Sequence, residues 1–406
     1  MLIRIGLVGK TNTGKTTFFN ASTLMSAEVS TYPFTTKKPN IGRAYVQSIC
    51  VCRELGVKDN PRNSLCIDGW RFIPVELVDL PGLIKGAHKG RGLGTQFLGI
   101  IGQADALIHV VDASGSVDAE GRITKPGMGN PVADVYDVEA EIILWFADIL
   151  KRGQRQVVKS IREERSPVAS ALTKALTGLK VRRSHVEQAL ELSGLADKSF
   201  DSWSEEDTME FARRIREISK PTIIVANKMD LARAEENYQR LTEAFGDRIV
   251  VPASSEAELA LRRAESQGLI KYVPGEEAFK VLQDGLLTRE QRWALSYVQS
   301  RVLSKWIRTG VQFALNICTF KLLGMNVVYP VEDLSRLSDK EGNVLPDAFL
   351  TPPDATVKDL AAQIHSDLAK SLLYAIDART GLRLPAEYKL RDRDIVHIVS
   401  AVKRRS

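Results

Sequence analysis

The feature that most restricts the fold is the octapeptide GKTNTGKT at residues 9–16. It follows the apolar, strand-like run IRIGLV and precedes TFFNAST, which has the pattern of a helix start. A strand, a glycine-rich loop and a helix in this order are the context that a G-x-x-x-x-G-K-[S/T] phosphate-binding loop requires. We therefore predict an α/β domain with a mostly parallel sheet, in which this loop wraps the phosphates of a nucleotide.

The residue types around this loop match the chemistry of a magnesium–triphosphate complex. The glycines let backbone N–H groups approach the phosphates, Lys15 is expected to reach the β- and γ-oxygens, and the Thr16 hydroxyl is expected to bind Mg²⁺. A second element, Asp-Leu-Pro-Gly at 79–82, ends another apolar run about 65 residues later. There Asp79 is predicted to hold a magnesium-bound water, and the Gly82 N–H to contact the γ-phosphate.

A third motif, Asn-Lys-Met-Asp at 227–230, indicates which base is bound. The Asp230 carboxylate can accept hydrogen bonds from both N1–H and the N2 amine of guanine, a donor pair that adenine lacks. Asn227 is expected to brace the loop and the base, and the stem of Lys228 to pack over the purine ring. The next loop, at Ala253 and Ser254, is expected to meet the guanine O6 through backbone N–H groups. The motif therefore predicts GTP and GDP as ligands, with ATP disfavoured.

Two further stretches carry a family resemblance: TYPFTTKKPNIG at 31–42 and GLIKGAHKGRGLGTQFL at 82–98. They resemble the two switches of the Obg-like GTPases of the translation-factor class, a Y-P-F-[TC]-T form followed by P-N-x-G and a glycine-rich segment. The resemblance implies that Thr36, with Thr35 as the alternative, senses Mg²⁺ and the γ-phosphate. Residues 112–142 and 256–264 look like the YchF (Obg-like ATPase) branch in its archaeal-style form. YchF proteins often accept ATP through a degraded base-reading motif, whereas the motif is intact here.

The residue after Gly82 raises the question of how water is positioned. Ras-type GTPases place a glutamine there to orient the attacking water, and this chain has Leu83, which can neither donate nor accept a hydrogen bond. A hydrophobic residue is normal at this position in the family that the chain resembles. Some GTPases with this feature also have a phosphate-loop asparagine that holds K⁺ near the phosphates, which makes Asn12 the candidate ligand here. His88 is a second candidate for contacting the water, and a group supplied by the ribosome is a third.

The remaining chain is predicted to form two further units. Apolar residues at helical spacing indicate a helical arm at 137–220, inserted into a GTPase domain formed by 1–136 and by 221–325 with a helical extension. Residues 326–406 alternate strand, helix and strand and resemble the TGS domain, a ubiquitin-like β-grasp fold, with a plain α+β cap as the alternative. Arg393 stands where that family usually has a glycine in its last turn, so the turn is expected to differ locally.

Basic residues are concentrated in the predicted arm. Residues 151–183 hold ten Lys or Arg and two acids, a net charge of +8, whereas the whole chain of 406 residues has +6. This concentration favours a polyanionic partner, a ribosome or other structured RNA, reached through the arm and the TGS domain. A solvated helical face is the equal alternative. The basic residues are Lys151, Arg152, Arg155, Lys159, Arg162, Arg165, Lys174, Lys180, Arg182 and Arg183.

Hydropathy and cysteine content restrict the cellular setting. No apolar run reaches the ~18 residues of a membrane helix, and the chain starts directly with a strand pattern rather than a signal peptide. We expect a cytoplasmic monomer with no membrane partner, and four cysteines suit a reducing compartment. Cys50-x-Cys52 together with Cys66 is one ligand short of a structural zinc site. A metal site and ordinary thiols are both open interpretations.

These motifs together predict a slow Mg²⁺-dependent GTPase that acts as a nucleotide switch on ribosomes or RNA. The alternatives are a YchF-type ATPase and a nucleotide-gated RNA-binding module in which hydrolysis is incidental. The predicted catalytic residues are Lys15, Thr36, Gly82 and Asn12, and the predicted metal ligands are Thr16, Thr36 and Asp79. The predicted nucleotide contacts are Gly9, Asn12, Thr13, Gly14, Lys15, Thr16, Thr17, Asn227, Lys228, Asp230, Ala253 and Ser254.

Overall fold

A computed structural model of the chain describes residues 2–23, 39–83, 86 and 94–401. The strands are β1 (Arg4–Val8), β2 (Asn40–Ile49), β3 (Leu65–Ile67), β4 (Trp70–Asp79), β5 (Ala106–Asp112), β6 (Thr222–Asn227), β7 (Val250–Pro252), β8 (Ile270–Lys271), β9 (Lys280–Val281), β10 (Asn326–Val331), β11 (Phe349–Thr351), β12 (Leu372–Asp377), β13 (Arg383–Leu384) and β14 (Ile395–Ser400). The helices are α1 (Lys15–Thr23), α2 (Val51–Leu55), α3 (Gly94–Gln103), α4 (Pro131–Arg162), α5 (Val168–Ala175), α6 (Arg183–Leu192), α7 (Glu205–Ser219), α8 (Ala234–Ala244), α9 (Ser255–Ser266), α10 (Arg289–Val298), α11 (Ser304–Trp306), α12 (Val311–Asn316), α13 (Val357–Ile364) and α14 (Ser366–Lys370).

The large sheet has seven strands in the order β2-β4-β1-β5-β6-β7, with β3 beside β4. Strands β4, β1, β5, β6 and β7 pair in parallel, and β3 pairs antiparallel with β4. Every residue of β5 is buried, as expected for a parallel strand covered on both faces. The carboxyl ends of the parallel strands lie at one edge of the sheet. The phosphate loop, Asp79, Asp112 and Asn227 are all located there. The predicted mostly parallel α/β fold is confirmed.

Helix α4 is the longest helix within the described residues. Asn130 caps its N-terminus by accepting a hydrogen bond from the Ala133 N–H at 3.4 Å, and Pro131 occupies its first turn. Its 32 residues extend over about 48 Å. Its apolar side packs with α5, α6 and α7 around one hydrophobic cluster that includes Ile142, Phe146 and Phe211. The described residues contain no helix with the length and apolar character needed to span a membrane.

The chain divides into two compact units. The first unit combines residues 1–3, 43–75 and 315–406, and the second unit combines residues 4–42 and 76–314. The predicted boundaries at residues 137, 220 and 326 stay predictions. Residues 43–75 belong with the C-terminal residues in this division, although the motifs on either side of them belong to the nucleotide site.

The C-terminal part of the first unit is a five-stranded sheet in the order β11-β10-β14-β12-β13. Strand β10 pairs in parallel with β14, and the other pairs are antiparallel. Helix α13 begins with a capping box between Thr356 and Asp359 and covers a core that includes Val328, Leu360 and Val396. This arrangement confirms the predicted C-terminal TGS fold.

Arg393 lies in the turn before β14, where a glycine was expected. Its φ of 65° is in the left-handed region, which costs a residue with a Cβ about 1–2 kcal/mol. The turn is held by the Arg393 N–H, which donates to the Val327 carbonyl at 2.7 Å, and by Arg379, which donates to the Arg393 carbonyl at 2.8 Å. Arg393 therefore occupies a left-handed conformation that glycine adopts without this cost, and the expected local difference of the turn stays a prediction.

Candidate nucleotide-binding site

The phosphate loop connects β1 to α1, and two of its positions require glycine. Gly9 and Gly14 have φ values of 146° and 95°. A Cβ at Gly9 would overlap the Val110 carbonyl oxygen, and a Cβ at Gly14 would overlap the side-chain amide of Asn227. The loop therefore lies directly against β5 and the base-reading motif. The Thr13 hydroxyl donates to the Lys10 carbonyl at 3.1 Å and closes the loop, and Thr17 is buried in the first turn of α1.

Lys15 begins α1 and is almost completely buried. Its Nζ donates to the Lys10 carbonyl at 2.5 Å, so the ammonium lies inside the curve of the loop. Burial lowers the pKa of Lys15 to about 8, and the negative charge of Asp79 opposes that shift. A buried ammonium inside the phosphate loop is the arrangement that attracts an anionic ligand.

Thr16, in the first turn of α1, and Asp79, at the end of β4, together offer oxygen ligands for a metal ion. The Thr16 hydroxyl donates to Asp79 Oδ2 at 2.7 Å, and the Asn40 amide donates to the same oxygen at 3.3 Å. Asp79 is 0% exposed, and its Oδ1 has no hydrogen-bond partner among the described residues. Burial raises the pKa of Asp79. Because a buried, unpartnered carboxylate oxygen is costly, the hydroxyl and carboxylate fit Mg²⁺, which binds through hard oxygen ligands.

The segment after Asp79 packs against the phosphate loop. A Cβ at Gly82 would overlap Thr11, and the Leu83 N–H donates to the Gly9 carbonyl at 3.1 Å. The Leu83 side chain is 3% exposed and belongs to the same hydrophobic cluster as Val138 and Ile142 of α4. It therefore points into the protein core. The predicted switch residues Thr35, Thr36 and His88 lie outside the described residues.

Asn227 joins the base-reading motif to the phosphate loop. Its Nδ2 donates to the Thr13 carbonyl at 2.9 Å. Its Oδ1 accepts hydrogen bonds from the Ser255 backbone N–H at 3.0 Å and from the Ser255 hydroxyl at 2.9 Å. One buried amide thus holds three loops in register at the end of the parallel sheet. The predicted support that Asn227 gives to the guanine base remains a prediction.

Asp230 and the loop after β7 lie together. The Ser254 hydroxyl donates to Asp230 Oδ1 at 2.7 Å, and the Tyr297 hydroxyl donates to the Asp230 carbonyl at 3.2 Å. The Ala253 N–H donates to the Ala226 carbonyl, and the Ser254 N–H donates to the Thr309 carbonyl, both at 2.8 Å. Both amides that were predicted to meet O6 therefore have acceptors within the protein, and their contact with the base remains a prediction.

Three interactions at the site involve acidic partners that the motifs did not reveal. Lys228 Nζ donates to Asp112 Oδ2 at 2.9 Å, which fixes its stem beside the end of β5. Lys10 Nζ forms ion pairs with Asp134 and Asp137 at 2.8 Å each. The one available signal was an acidic residue at the end of a buried parallel strand, as Asp112 is in β5. The phosphate-loop pattern gives no indication that Lys10, its first variable residue, would form ion pairs with acids of α4.

Asn12 adopts a left-handed backbone conformation in the phosphate loop, with φ of 62°. Its side-chain Nδ2 donates to the Gly121 carbonyl at 2.9 Å. Gly86, in the second switch, donates its backbone N–H to Glu141 Oε1 at 2.6 Å. Hydrogen bonds therefore connect the phosphate loop to the segment before α4, at Gly121, and connect Gly86 to α4 itself, at Glu141.

Three family models match successive parts of the chain. Residues 4–136 match a family described as 50S ribosome-binding GTPase. Residues 225–333 match the G4 motif-containing domain of the YGR210-like Obg-like GTPases, and residues 341–400 match the TGS domain.

Whole-chain relatives give the same result. A GTP-binding protein of Methanocaldococcus jannaschii is 47% identical over 399 residues, which cover 98% of this chain and 99% of that protein. A GTP-binding protein of Schizosaccharomyces pombe is 32% identical and covers 91% and 92% of the two chains. The crystal structure of a GTP-binding protein from Pyrococcus horikoshii is similar with a TM-score of 0.78, 37% identity and coverage of 98% and 100%.

Proposed function

The chain is a GTP-binding protein that belongs to the YGR210-like Obg-like GTPases with a C-terminal TGS domain, and we propose that it hydrolyses GTP to GDP and phosphate. In this proposal the reaction is slow and Mg²⁺-dependent, and it switches the protein's association with ribosomes or another structured RNA in the cytoplasm. The predicted membership of the Obg-like GTPases with a C-terminal TGS domain is confirmed. Hydrolysis, the metal and the RNA partner are the parts that we propose.

The observation that carries the proposal is the buried Asp79 carboxylate: its Oδ2 accepts a hydrogen bond from the Thr16 hydroxyl at 2.7 Å, and its Oδ1 has no hydrogen-bond partner among the described residues. These two side chains would hold Mg²⁺, which supplies neutralisation of the charge that develops on the phosphate oxygens. Lys15 is buried in the loop beside them, and its charge is available to the same oxygens. Phosphoryl transfer needs mainly positioning and charge stabilisation, and this arrangement supports both.

Guanine preference is proposed to depend on Asp230. Its Oδ1 is oriented by the Ser254 hydroxyl, and the loop carrying it is connected to the phosphate loop through Asn227. A carboxylate that pairs with guanine N1–H and N2 has no equivalent partner on adenine. Removing these charged hydrogen bonds should cost about 2–4 kcal/mol, or roughly 30- to 1,000-fold in affinity.

Calorimetric titration with GTP and ATP tests this part of the proposal. Wild-type protein should bind GTP at least about tenfold more tightly than ATP. Asp230→Asn should lose most of the GTP affinity, while Asp247→Asn, at an exposed aspartate of the same unit, should behave as wild type. Equal affinity of wild-type protein for GTP and ATP would instead support an ATPase of the YchF type.

We propose that positive charge near the phosphates lowers the barrier to hydrolysis. Leu83 cannot orient the attacking water, because its side chain is buried in the core and forms no hydrogen bonds. Asn12 is the proposed ligand for a K⁺ ion near the phosphates. Its left-handed backbone and its hydrogen bond to the Gly121 carbonyl hold the amide in one orientation. A second cation at this position would act as an arginine finger does in other GTPases.

The arm is proposed to contact RNA through a smaller set of cations than the ten basic residues suggested. Four of them, all exposed, have no acidic partner within the described residues: Arg152, Arg155, Arg165 and Arg182. The other six are paired with acids, four of which lie outside the 151–183 stretch, at Asp105, Glu187, Asp201 and Glu205. The four arginines and the TGS domain are the proposed RNA-contacting parts, and the matched family described as ribosome-binding supports the ribosome as the partner.

The switch is proposed to reach the arm through helix α4. Lys10 of the phosphate loop pairs with Asp134 and Asp137 near the start of this helix. Gly86 of the second switch donates to Glu141, one turn further along. Arg152 and Arg155 lie toward the far end of the same helix. A change at the γ-phosphate could therefore alter the position of a rigid element that carries RNA-contacting charge.

A further inference from the structure

Three of the chain's four cysteines converge with a carboxylate in the first unit. The Sγ atoms of Cys50, Cys52 and Cys66 and a carboxylate oxygen of Asp59 all lie within 4.8 Å of one another. None of these residues belongs to the nucleotide site. We propose that the four side chains form a structural zinc site.

The distances between the ligand atoms fit a tetrahedral zinc ion. Cys52 Sγ and Cys66 Sγ are 3.8 Å apart, and Cys50 Sγ is 3.3 Å from Asp59 Oδ2. With Zn–S near 2.3 Å and Zn–O near 2.0–2.2 Å, tetrahedral geometry separates two sulfurs by about 3.8 Å and a sulfur from an oxygen by about 3.5 Å. A disulfide would need about 2.05 Å, and all three cysteines are free. These two distances are therefore those expected between ligands of one zinc ion, and the other ligand atoms lie within 4.8 Å of one another.

Two short elements bring the sulfurs together. Cys50 immediately precedes α2 with an extended backbone (φ −73°, ψ 138°), and its side chain makes no capping hydrogen bond to the helix. Cys52 lies in the first turn of α2, and Cys66 lies in β3, the first strand of a β-hairpin. The Cys50 N–H donates to the Gly69 carbonyl in the hairpin turn at 3.0 Å. The helix start and the hairpin are thus fixed to each other with their sulfurs on the same side.

A buried arginine orients the carboxylate. Arg71 is 0% exposed, and its Nη1 donates to Asp59 Oδ2 at 2.9 Å. Its Nη2 donates to the Leu345 carbonyl, and its guanidinium lies 5.4 Å from the ring centroid of Tyr329. Ligating carboxylates typically carry such an outer hydrogen bond, which fixes their orientation. Three thiolates and a carboxylate outweigh the charge of Zn²⁺, and the buried guanidinium offsets part of the excess.

The site would stabilise a loop that carries no regular secondary structure of its own. The Asn60 N–H donates to the Val344 carbonyl at 2.8 Å, and the Arg62 N–H donates to the Pro346 carbonyl at 2.7 Å, within the same unit. A thiolate-rich, four-coordinate ligand set favours Zn²⁺ over hard ions such as Mg²⁺ and Ca²⁺. With four protein ligands the ion has no open position, so its role is structural rather than catalytic. Its binding free energy would add to the stability of the first unit.

The test uses the full-length chain, purified under reducing conditions, with zinc measured by mass spectrometry and sites reported by Co²⁺ titration. We expect about one equivalent of zinc per chain and a thiolate-to-cobalt charge-transfer band that saturates at about one equivalent. Cys66→Ser and Asp59→Asn should lose the zinc. Cys318→Ala, at the buried fourth cysteine outside the cluster, should retain it.

Two results would overturn the proposal. One is a reduced wild-type protein that holds no zinc and gives no charge-transfer band with Co²⁺, and this result does not depend on whether the variants fold. The other is retention of zinc and of the wild-type cobalt spectrum in Cys66→Ser or Asp59→Asn, which would show that the altered side chain is not a ligand.

Discussion

The exchange Leu83→Gln tests most directly how the Asp-x-x-Gly segment works in this protein. It restores the side chain that orients water in Ras-type GTPases. Leu83 is 3% exposed and packs in the cluster that contains Val8, Val138 and Ile142. The glutamine amide would therefore enter the core rather than reach the γ-phosphate. We expect no increase in the rate of GTP cleavage and a clear loss of stability.

The size of that loss follows from the burial of the side chain. Burying a leucine side chain contributes about 1.5–3 kcal/mol, part of which glutamine would lose. An amide left without hydrogen-bond partners adds about 1–3 kcal/mol. Leu83→Gln should therefore lower the free energy of unfolding by about 2–5 kcal/mol, close to the range for Leu→Ala in a core. Leu83→Met conserves volume and should cost less than about 1.5 kcal/mol.

Two measurements on the same variants decide the matter. Urea unfolding reports the free energy of unfolding, and single-turnover GTP cleavage reports the chemical step without product release. Leu83→Met serves as the control for packing, and Leu83→Ala should leave the cleavage step largely intact despite its cavity. A Leu83→Gln protein with wild-type stability and faster cleavage would show that residue 83 reaches the nucleotide, which would refute this account of its role.

Three further predictions concern the cation, the arm and the core. Single-turnover GTP cleavage should be faster in K⁺ than in a matched Na⁺ buffer, and Asn12→Ala should abolish the difference; equal wild-type rates in both salts would exclude the cation mechanism. Reversing the charge of three unpaired arm arginines should weaken ribosome binding and reduce the salt slope of log Kd by about three without changing GTP affinity, whereas reversing three exposed basic residues elsewhere should not; unaltered binding would mean that the arm is a solvated face. The arm set is Arg152, Arg155 and Arg165, and the control set is Lys271, Lys280 and Arg289. Burial, with the charge of Arg216 nearby, lowers the pKa of His109 to about 3. Between that value and the unfolded value of about 6.5, the unfolded state binds the extra proton. The free energy of unfolding should therefore fall by up to about 1.4 kcal/mol per pH unit on acidification, and His109→Leu should reduce this loss in urea unfolding at neutral and acidic pH.

The sequence by itself determined the fold class and the family, because both depend on short contiguous segments. The phosphate loop, the Asp79 segment and the Asn227 motif each combine a strand pattern with a few residues of defined chemistry, and their order along the chain implies a parallel sheet. The C-terminal alternation of strands and helix was equally local. The structure brings the predicted residues of these motifs together at one edge of the sheet, as their positions at strand ends required.

Only the tertiary structure decided which distant side chains meet. The sequence shows +8 at residues 151–183, but folding pairs Lys151 with Glu205 and Arg162 with Asp201, so much of that charge is cancelled. Leu83 stands where Ras-type GTPases have a catalytic glutamine, and in the fold it is a core residue. Asp59 follows Cys52 by seven positions and has no sequence signal as a fourth ligand. Hydropathy and spacing report the local chain geometry, whereas these contacts depend on how separate elements pack, which periodicity along the chain does not encode.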